Sequence, residues 1–321
     1  MILYSLAVIV GIGLLVWSAD RFVISSASIA HRFNVSPLVI GLTIVSIGTS
    51  APEIVVSAVA GLTGSGSLAI GNALGSNIAN IGLVLGITAL VAPIAIDRSL
   101  VKRELPMLFI VTLVIGYLLY DLKLTLIDSF ILLFFLILTL YLLFYKNSDS
   151  SLSEESDIAS EDINHSPMWK ITGWFVFALI VLLSSAKILV WGATNIASSL
   201  GVSELVIGLT IVAIGTSLPE LAASITSAVK GHHGMAIGNI IGSNLFNLLA
   251  VLPIPGLIAT TWIESTVLVR DYSILLISTI ILFLIVGFVK RQTSLSRFAG
   301  CFLVIGYSSY LIWIYQANQL A

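Results

Sequence analysis

The stretch LVIGLTIVSIGTSAPEIVVSAVAG, Leu38 to Gly61, returns 167 residues later as LVIGLTIVAIGTSLPELAASITSA, Leu205 to Ala228. Each copy is followed by a second shared segment, AIGNALGSNIAN over Ala69–Asn80 and AIGNIIGSNLFN over Ala236–Asn247. Between residues 38–80 and 205–247, 24 of 43 aligned positions are identical. Both copies are strongly apolar, yet each retains a glutamate and a set of Ser, Thr and Asn residues. Polar and acidic groups are expensive inside a membrane, so their duplication there marks the place to look for function.

Working outward, the chain has 321 residues, of which 58% are hydrophobic and 9% charged. Its mean hydropathy is +1.11. Soluble domains carry close to a quarter charged residues, so this composition reads as an all-α polytopic membrane protein. Crossing the hydrocarbon core takes about 20 apolar residues. Runs of that order fall roughly at 2–19, 38–62, 68–92, 105–121, 125–145, 169–191, 205–229, 235–259, 271–289 and 298–316. The opening run has no basic leader or small-residue cleavage site and reads as the first span rather than a signal peptide.

Ten spans divide five and five. If alternate loops share a face, eleven of the fourteen Lys and Arg residues gather on one side, leaving Lys123, Lys187 and Arg270 on the other. That bias places the eleven in the cytoplasm and both termini outside, in the plasma (inner) membrane. An odd number of spans per half then inverts one half relative to the other, an arrangement common in secondary transporters. The expected organisation is a first five-helix repeat at 1–146 with its motif at 38–80, an acidic cytoplasmic linker at 147–166, and a second repeat at 167–321 with its motif at 205–247. The linker is Ser-rich and carries six acids, the composition of a solvated tether.

Several classes are excluded. Cys301 is the single cysteine, which leaves no intrachain disulfide or thiolate metal cluster. A net charge of −2 without basic clusters gives no support for nucleic acid. No P-loop is present, and nothing forms a nucleophile and base pair, so neither an ATP-driven pump nor an enzyme is indicated. No cofactor and no obligate protein partner is indicated. The lipid bilayer is the expected surrounding.

The polar residues of the repeat share a helical face. Ser46, Thr49, Ser50, Glu53 and Ser57 fall at i, i+3, i+4, i+7 and i+11, and Ala213, Thr216, Ser217, Glu220 and Ser224 take the equivalent places. In the following spans Asn72, Ser76 and Asn80, and likewise Asn239, Ser243 and Asn247, recur at i, i+4 and i+8. Pro52 and Pro219 lack an N–H and should break their helices, freeing carbonyls around Ser46 to Thr49 and around Gly215. Carboxylate, hydroxyl, amide and carbonyl oxygens form the donor set that hard cations such as Ca²⁺ and Na⁺ favour. Singly, such Ser and Thr residues are ordinary helix-to-helix contacts, and the repeated glycines read as sites of close helix approach. A duplicated buried acid without a basic neighbour in its own segment instead requires a cation or a proton. Two ionised glutamates oppose closure of an empty site, and one Ca²⁺ or several monovalent ions remove that opposition. Protons offer a competing neutralisation, so acid is expected to inhibit transport. A channel would also use oxygen-lined helices, but paired acids between kinked repeats favour a carrier.

At these residues the chain resembles the calcium/cation antiporter superfamily, in particular prokaryotic sodium/calcium exchangers. GTSAPE at 48–53, GTSLPE at 215–220 and the two GNxxGSN segments at 71–77 and 238–244 are similar to its two α-repeats. The resemblance implies ten helices in two inverted five-helix halves. It also implies Ca²⁺ carboxylates from Glu53 and Glu220 with the Thr49 and Thr216 carbonyls beside them. Sodium sites would draw on Ser46, Ser50, Ala213, Ser217, Ser76 and Ser243, with Asn80 and Asn247 bordering the middle. Spans 1 and 6 would slide against a rigid core. The implied function is Ca²⁺ export against Na⁺ entry, with H⁺-coupled exchange of Ca²⁺ or another divalent cation as the alternative. The chain departs from well-known members at Asn247, where they carry Asp, and at Ser46, where some carry Ala. Its site therefore has two acids.

Overall fold

The computed structural model describes residues 1–96, 100–145, 167–202, 207, 211, 213–287 and 294–319. The acidic linker at 147–166, most of 203–212 and the basic residues Arg98, Lys146, Lys290 and Arg291 lie outside the described residues. The helices are α1 (Ile2–Arg32), α2 (Pro37–Thr49), α3 (Ala51–Leu62), α4 (Gly66–Val91), α5 (Leu105–Leu118) and α6 (Leu126–Tyr145). They continue with α7 (Met168–Ser199), α8 (Ala213–Thr216), α9 (Leu218–Val229), α10 (His233–Ile258), α11 (Val267–Gly287) and α12 (Arg297–Gln319). Among the described residues seven helices are long and apolar enough to cross a membrane, or eight when the bent pair α2 and α3 counts as one span.

Burial sorts the helices into core and rim. The membrane-length windows of α4 and α10 are 78% buried, against 22–28% for the other five. The reason is composition: α4 and α10 carry the Gly, Ser and Asn residues that lipid would leave unsatisfied, whereas α6 is mostly Leu, Ile and Phe. Glycine then lets backbones touch. A Cβ on Gly41 would lie 2.5 Å from the Met235 carbonyl oxygen, one on Gly238 2.5 Å from that of Leu38, and one on Gly242 2.5 Å from that of Leu42. Helices α2 and α10 therefore cross at backbone contact. Gly48 and Gly215 instead face Leu179 and Val190 of α7.

The spans drawn at 2–19 and 169–191 prove too short. Helices α1 and α7 run for 31 and 32 residues because nothing breaks them: Asp20 and Arg21 are carried inside α1, and Asp20 accepts an ion pair from Lys230 Nζ at 2.8 Å. The two long helices pack along each other, with Gly192 against the Tyr4 backbone and Gly11 against Leu189.

Two short antiparallel ribbons tie the connections together: β1 (Ile94–Ala95) with β4 (Ser294–Leu295), and β2 (Lys123–Leu124) with β3 (Thr261–Trp262). Each ribbon joins loops that the alternation of spans assigns to one side. A π-helical turn, Leu100–Glu104, and α5 separate β1 from β2, a rise of about 28 Å for 19 helical residues, so the ribbons lie at opposite ends.

Adding a methyl at the α2–α10 crossing forces the backbones apart. Gly242→Ala is expected to lower stability by about 1–3 kcal/mol. Gly13→Ala, whose Cβ meets nothing within 4 Å among the described residues, is expected to be neutral or stabilising by up to about 1 kcal/mol. Thermal unfolding of both variants in detergent checks the pair, and equal melting temperatures would contradict backbone contact at the crossing.

Candidate cation site

Proline sets the site's backbone. In each repeat the helix stops one residue before the Ala51-Pro52 or Leu218-Pro219 pair, then restarts with proline in its first turn, where no N–H is missed. The hinge residues Ser50 (φ −81°, ψ 9°) and Ser217 (φ −89°, ψ 4°) take nearly the same conformation. Between α2 and α3 the axis bends by 46°. The restart puts Glu53 and Glu220 in the first turn of α3 and α9, where the unpaired N–H groups and the positive end of the helix dipole favour a carboxylate.

The expected free carbonyls are only partly found. Backbone N–H groups at the cap recapture the Ser46 and Gly48 carbonyls, with Ser50 N–H donating to Ser46 O at 3.0 Å. A proline break removes one helical bond, and the chain tightens locally to replace it.

Convergence of the halves is direct. Ser50 Oγ of the first repeat donates to Glu220 Oε1 of the second at 3.1 Å. Thr49 Oγ1 donates to Asn239 Oδ1 at 3.2 Å, and the Asn239 amide donates to Ser224 Oγ at 2.9 Å and to the Glu220 carbonyl at 3.3 Å. The Ser57 hydroxyl donates to the Val251 carbonyl at 3.2 Å. Glu53 and Glu220 are both wholly buried and lie within electrostatic reach of each other. Ser76 lies beside Glu53 without closing a well-formed hydrogen bond. Among the described residues neither glutamate forms an ion pair; Arg103, Lys123, Lys230 and Arg270 pair with other acids.

Among the buried oxygens with no hydrogen-bond partner are both carboxylate oxygens of Glu53, Oε2 of Glu220, the hydroxyls of Ser217 and Ser243, and the amide oxygens of Asn80 and Asn247; those of Asn77 and Asn244 are also unpartnered. The first seven atoms come from α3, α4, α9, α10 and the hinge before α9. A buried polar atom left unpaired costs about 1–3 kcal/mol and calls for a ligand, ion or water.

Other residues of the expected set are placed differently. Ser46 is buried but its hydroxyl donates back to the Leu42 and Thr43 carbonyls at 2.9 and 3.0 Å. Thr49, Ser50 and Ser76 are buried, while Thr216 is half-buried. Ala213 opens α8, and its side chain is outside the described set. Asn80 and Asn247 each begin a π-helical turn, Asn80–Val84 and Asn247–Val251, which widens the helix at the level of the site.

Sequence reasoning missed the Thr49–Asn239–Ser224 chain and a second duplicated element. Arg103-Glu104 and Arg270-Asp271 stand 167 residues apart, and Arg270 Nε donates to Asp271 Oδ1 at 2.7 Å while the Tyr310 hydroxyl donates to the same oxygen at 2.9 Å. The repeat offset alone would have flagged them.

A bundle of membrane-length helices around a buried, acid-containing pocket of oxygen donors defines a multi-pass membrane transporter. The sodium/calcium exchanger protein family matches residues 3–145 and 170–316, and the chain belongs to it. It is an antiporter family and not an enzyme family. The chain is 44% identical to the putative antiporter CaxA of Alkalimonas amylolytica over 99% of this chain and 100% of the relative. It is 39% identical to the inner membrane protein YrbG of Escherichia coli over 100% and 99%, and 29% identical to the sodium/calcium exchanger MaX1 of Methanosarcina acetivorans over 97% and 98%. Solved structures of the sodium-calcium exchanger NCX_Mj superpose with a TM-score of 0.82 at 33% identity, covering 97% of this chain and 98% of theirs.

The orphan oxygens generate a binding prediction. Ca²⁺ at a hundredfold excess over its dissociation constant is expected to stabilise the protein by about 2.7 kcal/mol. Glu53→Gln should abolish that gain while leaving the ion-free protein at least as stable, since it removes an unpaired buried charge. Thermal unfolding with and without Ca²⁺ checks both, and an undiminished Ca²⁺ response in the variant would remove Glu53 from the site.

Proposed function

We propose that the chain is a secondary antiporter that exchanges Ca²⁺ for Na⁺ by alternating access and expels Ca²⁺ across the plasma (inner) membrane. The observation that carries this reading is the group of seven unpartnered buried oxygens, three on the two carboxylates and four on Ser217, Ser243, Asn80 and Asn247, with no ion pair to either carboxylate among the described residues. Two negative charges match one Ca²⁺ or two Na⁺, and hydroxyl and amide oxygens complete a coordination shell suited to either ion. Glu53, Glu220 and the Thr49 and Thr216 carbonyls would hold Ca²⁺. Ser46, Ser50, Ala213, Ser217, Ser76 and Ser243 would serve Na⁺, with Asn80 and Asn247 between them. Relatives named as sodium/calcium exchangers support the choice of ions.

The proposed architecture is ten helices in two inverted five-helix repeats, at 1–146 and 167–321, joined by the linker at 147–166, with both termini outside. Residues 100–118 and the second motif around 205–229 supply the spans beyond the eight that length and composition identify. Pairing of β1 with β4 at one end and of β3 with β2 at the other supports the inversion, because β1 and β3 are equivalent positions 167 residues apart. Helices α1 and α7 would move as a pair against the α4–α10 core. Glycines at their contacts with both broken helices keep that surface smooth.

Charge explains obligatory exchange. An empty site holds two like charges in a low-dielectric interior and resists occlusion, whereas a site filled by either cation is near neutral. In proteoliposomes loaded with Na⁺, ⁴⁵Ca²⁺ uptake is expected, with little in K⁺-loaded vesicles and little under a proton gradient alone. Glu53→Gln and Glu220→Gln should each reduce uptake by roughly a hundredfold or more, as expected for losing a buried charge partner. Flux driven equally by protons would overturn sodium coupling, and full activity in both variants would overturn the site.

A further inference from the structure

A cavity of about 420 Å³ lies beside the two helix breaks and is lined mostly by hydrocarbon, reaching the cation site only at Thr216. Pro52, Val55 and Val56 form one wall, Leu183 and Val190 of α7 another, and Pro219 with Gly215 and Thr216 closes the third. The sole charged group of the lining is Lys187, with Trp191 one turn further along. An apolar cavity of this kind stays dry, and within a bilayer the matching material is an acyl chain.

The level of the cavity follows from α7. Trp169 and Lys170 stand near one end of the helix, and Trp169 is exposed with the Lys170 ammonium 5.6 Å from its ring. Trp191, also exposed, lies 22 residues on, a rise of about 33 Å, close to the thickness of the hydrocarbon core. Tryptophan and lysine together are enriched at membrane boundaries, and on that reading Lys187 and Trp191 belong toward the boundary opposite Lys170. Lys187 thus meets lipid headgroups while Leu183, one turn inward, meets their chains.

Lys187 is exposed and forms no ion pair among the described residues. Its equivalent on α1, 167 residues earlier, is Asp20, which is paired with Lys230. The position equivalent to Lys230 is Thr63, which offers Lys187 no charge. The second repeat therefore presents a cation, at headgroup level and above an apolar slot, where the first presents a satisfied ion pair.

We infer that this cavity is a binding site for an anionic phospholipid, with one acyl chain lying between α7 and the Pro52 and Pro219 breaks and the phosphate held by Lys187. The assignment needs only the membrane setting. If α7 moves during exchange, a lipid seated there would restrain it, but binding can be measured without transport.

Native mass spectrometry of the purified protein with equal amounts of dioleoylphosphatidylglycerol and dioleoylphosphatidylcholine tests the site. The anionic lipid should be retained preferentially, and Lys187→Gln should reduce that preference about fivefold, the worth of one basic residue against an anionic headgroup. Lys187→Arg should restore it. Val56→Trp, which fills the slot, should lower retention of both lipids in protein whose unfolding temperature is unchanged. Equal retention of the two lipids by the wild type, or a preference untouched by Lys187→Gln, would overturn the headgroup contact. Unaltered retention in Val56→Trp would overturn placement of the chain. Loss of ⁴⁵Ca²⁺ exchange in any of these variants does not bear on the binding result, so failure of the transport reading and failure of this site remain separable.

Discussion

Two carboxylates buried together, with no cation paired to them among the described residues, constrain everything around them. Removing a charge from water costs several kcal/mol, and two like charges in reach of one another add repulsion to that cost. The protein offsets it with partial charges only: each glutamate begins a helix, Ser50 donates to Glu220, and amides and hydroxyls from four further positions face inward. These groups are too weak to neutralise the pair. A membrane protein that keeps such a pair while leaving three of its carboxylate oxygens and four further hydroxyl and amide oxygens unpartnered is suited to binding a cation.

The backbone devices that build this environment are duplicated along with the side chains. Pro52 and Pro219 end one helix and start another at the same place in each repeat, so the acid arrives at an N-terminus both times. Asn80 and Asn247 each open a π-helical turn, which displaces the helix axis where the amide enters the site. Gly41, Gly238 and Gly242 bring α2 and α10 to backbone contact, which is how Ser46, Thr49 and Asn239 from opposite halves come into one layer. Removal of any one device would leave the ligand set intact in sequence and scattered in space.

Much of this was legible beforehand. Apart from α1 and α7, the apolar runs located the described membrane-length helices to within a few residues, since hydrocarbon length is a hard constraint, and the repeat singled out Glu53 and Glu220 because acids rarely persist in such surroundings. Misreadings had physical causes. The first span was cut at Asp20, a charge that α1 tolerates because Lys230 from another helix pairs with it. Carbonyls at the proline break were expected to be free, but the chain tightens and recaptures two of them. The Ser46 hydroxyl bonds back to its own helix, the usual arrangement for serine in apolar surroundings, which its helical spacing did not show. Thr49, Asn239 and Ser224 were visible as stripe members but not as a hydrogen-bonded chain, because spacing along one helix says nothing about which neighbour it faces.

By itself the sequence determined that the chain lives in a membrane, that it is duplicated, and that one acid and a set of oxygen donors recur at fixed helical spacing. These follow from composition and periodicity, which are local properties of the chain. Only the tertiary structure decided that the two acids meet, that Ser50 of one repeat serves Glu220 of the other, and which oxygens are left without partners. It also set a lysine above an apolar slot between α7 and the broken helices. Partnership between residues about 170 positions apart depends on how helices cross, and that is set by backbone contact at glycines and by bends at prolines acting together.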